Sequence, residues 1–319
     1  MIHLNRREFL KTTGIAAAAL CATRFAGAAE FKTKLHRAMI IGEPTEKSLQ
    51  PLKDAGFDGV ESNAIIDPEK AAECRKIAEK MGMRIHSVLR GWAEFNSEDP
   101  AKVSSSLTTT EKALRAAKGY GADAVLLVPC RIGGMPMPDP WDFKIEFDEK
   151  TGHVVKVCDG DNSKFAKYIE AQNRATDTSR EAVKKLIPVA EETKVIIALE
   201  NVWNNLWVQP AIYRNFVASF QSEWIRSYFD IGNHMKYRPS QEWIRTLGPL
   251  IAKCHVKDFK LNPDGHGGKF VHPRDGDVNW PEVRRALDET GYNGWLTIED
   301  GGLPLPEFRA RLDKIIAGE

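Results

Sequence analysis

The chain has 319 residues, 42% hydrophobic and 28% charged, an ordinary globular composition whose length suits a single α/β barrel. With residues 1–28 set aside, four basic residues and one acidic residue are lost and the remainder is slightly acidic, so no basic field is left to gather phosphates and nucleic acid is not an expected partner. Five cysteines without a CxxC pair are too sparse for a disulfide scaffold.

The N-terminus reads as a targeting segment. Asn5-Arg6-Arg7-Glu8-Phe9-Leu10-Lys11 precedes the apolar run from Ile15 to Leu20, and the small residues Ala26-Gly27-Ala28 follow. Arg6, Arg7, Phe9, Leu10 and Lys11 resemble a twin-arginine export signal, with cleavage expected after Ala28. A frayed helix or a membrane anchor is the competing reading, but the apolar run is too short to cross about 30 Å of hydrocarbon. Cys21 follows Leu20, where a lipidation site wants a small residue, so no lipid anchor is expected. The expected location is the periplasm, or otherwise beyond the cytoplasmic membrane, with the twin-arginine machinery as a transient partner. Cys74, Cys130, Cys158 and Cys254 remain after cleavage; free thiols are the expected state, and a Cys130–Cys158 bridge is the alternative in an oxidising compartment.

From residue 35 onward, short β-branched runs alternate with helical patterns. Strands are predicted at 38–41, 59–61, 84–89, 124–128, 195–200, 227–230, 252–256 and 295–299. Helices lie between them, among them 68–81, 102–118 and 280–290, the last with Trp280, Val283, Ala286 and Leu287 spaced for one buried face. Several helices end in glycine-containing turns such as Ala55-Gly56-Phe57-Asp58-Gly59 and Tyr120-Gly121-Ala122. Eight strand–helix alternations predict a closed (β/α)8 barrel over residues 29–319. A doubly wound sheet would want a glycine-rich phosphate turn after its first strand, where Ile41-Gly42-Glu43-Pro44 offers one glycine. The loops at 129–161 and 257–279 exceed what closure requires and are candidate lids on the catalytic side.

Polar residues stand where four successive apolar strands end: Leu199-Glu200-Asn201, Phe229-Asp230-Ile231-Gly232-Asn233, Cys254-His255-Val256-Lys257-Asp258 and Ile298-Glu299-Asp300. Each alone is as well read as a capping or packing residue. Together, Glu200, Asp230, His255 and Glu299 would converge at the mouth as a complete ligand set for one divalent ion. Three carboxylates and one imidazole suit Mn²⁺ first, with Mg²⁺, Co²⁺ or Zn²⁺ as alternatives.

These segments, with Gly276-Asp277-Val278-Asn279-Trp280 and the Gly291-Tyr292-Asn293-Gly294-Trp295 turn, resemble the xylose isomerase-like barrel superfamily. Within it the likeness is to the sugar (phosphate) isomerase/epimerase branch, which includes ketose 3-epimerases and inosose dehydratases. The resemblance implies that Glu200, Asp230, His255 and Glu299 bind the metal and that Glu200 and Glu299 serve as the acid/base pair. A metal chelating a carbonyl oxygen and a neighbouring hydroxyl stabilises an enediolate. Glutamates on its two faces could then remove and return the proton. Substrate contacts are expected from Lys257, His234, His86, Glu61, Arg274 and Trp203. Lys257 has an ion pair with Asp258 or Glu61 as its alternative. His234 stands four residues after Asp230, whereas some epimerases place a substrate-binding histidine at three. Trp92, Trp141 and Trp207 are further aromatic platforms or packed residues.

The expected function is therefore a metal-dependent isomerase or epimerase of a free sugar or sugar derivative. A β-eliminating lyase or dehydratase acting on a keto-sugar or 3-keto-glycoside is the runner-up. A non-catalytic sugar-binding barrel is the alternative from another class. An endonuclease of the same superfamily would want further histidine ligands and a basic cleft. Homo-oligomerisation is left open.

Overall fold

Side chains alternate along a strand, so in a closed barrel every second residue points inward. The computed structural model describes residues 31–319, and the predicted export signal at 1–28 lies outside the described residues. In chain order the strands are β1 (His36–Ile41), β2 (Gly59–Ser62), β3 (Arg84–Trp92), β4 (Ala124–Val128), β5 (Glu146–Phe147), β6 (Val154–Lys156), β7 (Ile196–Glu200), β8 (Ile225–Asp230), β9 (Ile251–Val256), β10 (Asp258–Leu261), β11 (Gly268–Val271) and β12 (Trp295–Ile298). Strands β1, β2, β3, β4, β7, β8, β9 and β12 close a parallel barrel in that order, β12 pairing back to β1. The helices are α1 (Glu46–Asp54), α2 (Pro68–Lys80), α3 (Pro100–Tyr120), α4 (Ala166–Thr193), α5 (Pro210–Ala218), α6 (Ser240–Leu247), α7 (Trp280–Glu289) and α8 (Leu305–Ala317).

The predicted barrel is the observed fold, and the alternation explains its layers. Ile197 and Leu199 of β7 join the outer core beneath the helices, whereas Ala198 joins Ala124, Leu126, Val128 and Tyr228 in a separate cluster. Glu200 and Asp230 continue the inward columns of Ala198 and Tyr228 past the apolar layer. Helix α7 buries Trp280, Val283, Ala286 and Leu287 as its spacing predicts, and Asn279 caps it by accepting from the Glu282 N–H at 3.2 Å. Low in the barrel, Lys253 pairs with Asp123 at 2.5 Å and Trp295 stacks on His86 at 4.5 Å.

Each long loop contains an antiparallel hairpin, β5–β6 in the first and β10–β11 in the second. The first loop is not the free flap its length suggests. Asn173 of α4 accepts from the Val154 N–H at 2.7 Å and donates to its carbonyl at 3.0 Å. Gln209 bonds the Ile145 N–H and the Phe143 carbonyl in the same two-handed way. Cys130 and Cys158 are not bridged, and all four described cysteines are free. The buried Cys130 sulfur accepts from the Ser179 hydroxyl at 3.3 Å, while Cys158 stands beside Asn162.

Candidate metal centre

Strand register brings the four predicted ligands to one level. Asp230 lies opposite His255 between β8 and β9, and the Glu299 N–H donates to Val256 at 3.3 Å just beyond β12. One ligand atom from each of Glu200, Asp230, His255 and Glu299 falls within 4.8 Å of all the others. His255 Nδ1 stands 3.4 Å from Glu200 Oε1 and 2.7 Å from Glu299 Oε2.

Two of the four, Asp230 and His255, are aimed by partners outside the cluster. Asp230 Oδ1 accepts from the Gly232 and Asn233 N–H groups at 2.9 and 2.6 Å, which leaves Oδ2 free toward the cluster. Asn201 ties the neighbouring strands by accepting from the Asp230 N–H and donating to the Asp230 carbonyl. Glu61 Oε2 sits 2.6 Å from His255 Nε2, while its Oε1 accepts from the Ser87 hydroxyl at 2.9 Å. A carboxylate on Nε2 holds a proton there and turns the Nδ1 lone pair to the cluster, an arrangement common behind metal-binding histidines. Gly232 permits the close approach of the turn after β8: a Cβ there would lie 2.7 Å from that of Lys257.

The chemistry of the donor set fits a divalent cation. Asp230 Oδ2, His255 Nδ1 and Glu299 Oε2 are buried and make no hydrogen bond, a costly arrangement that a cation between them would relieve. The electrostatics agree. Burial pushes Asp230 up to about 7, reinforced by Glu299 and Glu200. Burial likewise raises Glu200. Burial opposes charge on His255 too, yet the carboxylates of Glu299 and Glu61 hold it well above its ordinary value. Glu299 is kept down at about 2, since His255 and Lys257 outweigh its burial. A proton on Nδ1 and a metal ion compete for the same place.

The other predicted site residues separate into two groups. Lys257 belongs to the centre, with Nζ 2.9 Å from Glu299 Oε1 and 3.7 Å from Asp230 Oδ2. It does not pair with Asp258, whose buried carboxylate instead accepts from the Arg274, Gly276 and Val278 N–H groups and from the Trp280 indole. Trp203 lies at the mouth, half-buried between Phe259 and Phe270, and its indole donates to the Asn233 carbonyl. Arg274 adopts the left-handed φ of 78° in the loop that Asp258 organises, and its buried Nη1 has no partner. Three of the residues expected to contact substrate are buried behind or beside the cluster. Glu61 is fully buried behind His255. His86 bonds Thr297 Oγ1 at 3.0 Å and stacks on Trp295, below the ligand level. His234 is buried against Tyr237 and Trp243, with Nδ1 accepting from Asn201, and burial lowers it to about 3. Trp207 is packed on Tyr213, while Trp92 and Trp141 are exposed.

Comparison with known proteins finds a partial sequence relative and solved structures of the same fold. The uncharacterized protein MJ1311 of Methanocaldococcus jannaschii is 26% identical over 130 residues, which is 39% of this chain. That match spans 43% of the relative's length. The structure of a D-tagatose 3-epimerase-like protein superposes with a TM-score of 0.65 at 16% identity, over 88% of this chain and 97% of that one. The apo structure of 3-keto-D-glucoside 4-epimerase from E. coli superposes with a TM-score of 0.63 at 13% identity, over 88% and 99% of the two chains. At such identities the likeness is one of fold. The family described as xylose isomerase-like TIM barrel matches residues 49–314, and the chain belongs to that family.

Proposed function

We propose that the protein is a metal-dependent isomerase or epimerase of a free sugar or sugar derivative, working by proton transfer at a carbon beside a carbonyl. The observation that carries this reading is the cluster in which two glutamates, an aspartate and a histidine converge, three of its buried atoms making no hydrogen bond. The epimerases among its fold neighbours support the substrate class by analogy. Glu200, Asp230, His255 and Glu299 would hold the ion, Mn²⁺ in this reading with Mg²⁺, Co²⁺ or Zn²⁺ as substitutes, and the ion would supply Lewis acidity to a substrate oxygen.

The chain's own residues do the rest. One of Glu200 and Glu299 takes the proton from carbon and the other returns it, on the opposite face for an epimerase. Lys257, 2.9 Å from Glu299, neutralises that carboxylate's surroundings and offers N–H groups to a substrate oxygen. Arg274 Nη1 is a second donor without a partner. Trp203 and Phe270, with ring centroids 5.0 Å apart, offer apolar faces to a sugar ring and screen the mouth from water. Export to the periplasm is part of this proposal; among the described residues no helix is long and apolar enough to cross a membrane.

A β-eliminating lyase on a 3-keto-glycoside would use the same glutamates, and the products separate the two. Incubation of the metal-loaded protein with ketoses and 3-keto-glycosides, followed by mass spectrometry, is expected to give an isomer of unchanged mass. Release of an aglycone with an unsaturated partner, dependent on Glu200, would replace the epimerase by the lyase.

A further inference from the structure

Beyond Lys236, which rests on Trp203, the loops of the mouth border a half-open cavity of about 250 Å³, and of the residues singled out in the sequence only Trp141 takes part in it. Its walls come from four parts of the chain: Trp141 and Phe143 of the first long loop, Gln209 ahead of α5, Lys236-Tyr237-Arg238 between β8 and α6, and Leu261 with Gly265 of the second long loop. The walls are fixed. Gln209 holds Ile145 and Phe143 by two backbone hydrogen bonds, of 3.1 and 2.7 Å. The Phe143 ring meets Tyr237 edge-on at 6.0 Å, and Trp141 stacks on His266 of the other long loop at 4.3 Å. The two loops thus build a preformed chamber, somewhat smaller than the ~300–1,000 Å³ of sites for drug-sized ligands.

Its chemistry is aromatic and cationic. No Asp or Glu lies among the described residues lining it. Arg238 reaches a carboxylate only at 3.9 Å, that of Glu242. Lys236 Nζ rests 3.6 Å from the centre of the Trp203 ring and 4.9 Å from that of Tyr237, so it sits between the metal-centre side of the mouth and the chamber. Burial lowers this lysine to about 8, and the nearby charge of Arg131 adds to the effect. A half-buried ammonium held on two rings beside another cation lacks the anion that would repay its lost hydration. Trp141, meanwhile, keeps much of its ring exposed.

Taking the sugar-enzyme reading as its basis, we infer that this chamber is a subsite for a second part of the substrate bearing an anionic oxygen group, a carboxylate or a phosphate. Lys236 is the recognising cation, and Trp141 and Tyr237 face the attached sugar ring. The reacting carbon lies at the glutamates, and the charged part extends past Trp203. The substrate class is then an acidic or phosphorylated carbohydrate rather than a neutral monosaccharide.

The test reads binding, without turnover. D-Glucose, D-glucuronate and glucose 6-phosphate are titrated into the purified metal-loaded protein by calorimetry, with wild type and Lys236→Gln compared. One charge-assisted contact predicts a preference of about tenfold or more for an anionic probe over glucose. The stronger of the two anions identifies the group. Lys236→Gln should keep its metal content and its glucose affinity and lose the preference. Equal binding of the three probes by wild type, absence of binding by all included, overturns the inference without any variant. A preference that survives Lys236→Gln overturns it as well. Absence of isomer formation would instead remove the proposed activity and leave the binding preference untouched, so the two failures are distinguishable.

Discussion

Glu200→Gln and Glu299→Gln are each expected to keep the barrel and lose most turnover, by about 10²–10⁴-fold, the usual worth of a general acid or base. Both substitutions preserve volume where volume matters. Glu200 is buried at the top of the inward column begun by Ala198, and Glu299 stands in the rim with Lys257 on one oxygen. Since both also belong to the ligand set, metal content must be read on the same samples. A variant that holds its ion and has lost turnover isolates the proton-transfer role. Near-normal turnover in either variant on the true substrate would show that the two-glutamate account is wrong.

A second large effect is expected one shell further out. Glu61→Gln keeps the shape behind His255 and removes the charge that fixes its Nε2 proton at 2.6 Å. Outer partners of metal-binding histidines are commonly worth about 10–100-fold in metal affinity, and a loss of that size is expected here. Competition against a chelator of known affinity measures it directly. A purely structural role for Glu61 predicts a lowered melting temperature with unchanged metal affinity, and that result would sever Glu61 from the centre.

The barrel and the convergence of Glu200, Asp230, His255 and Glu299 at its mouth were legible because both follow from short-range rules. An apolar run that alternates and then ends in a carboxylate places that carboxylate at the strand's end whatever the rest of the chain does. Depth inside the barrel follows no such rule. Between β2 and β3 the register slips, so that Val60 faces Ile85 while Glu61 faces Ser87 and His86 is the extra residue. That slip seats Glu61 against Ser87 and His255, and His86 stacks on Trp295. Nothing in the sequence around residues 59–62 or 84–92 announces it. His234 is withdrawn by a tertiary contact, its ring held by Asn201 from the neighbouring strand. Asn201 and Asn233 stand inside the segments that signalled the family, yet their pairing across strands needs coordinates. Lys236 was unremarkable as a loop lysine, because what sets it apart is a ring contributed by Trp203 and the distance from any carboxylate. The hairpin inside the first long loop is invisible in the sequence because β5 and β6 are two and three residues long, too short for a visible alternation.

Metal analysis of the purified protein tests the central claim most directly. Wild type, dialysed against Mn²⁺ and freed of excess ion, is expected to carry about one divalent ion per chain, whereas His255→Ala, stripped of the imidazole at the cluster's centre, is expected to carry almost none. Equal occupancy in the two proteins, or none in wild type, would contradict the assignment of Glu200, Asp230, His255 and Glu299 as one metal centre.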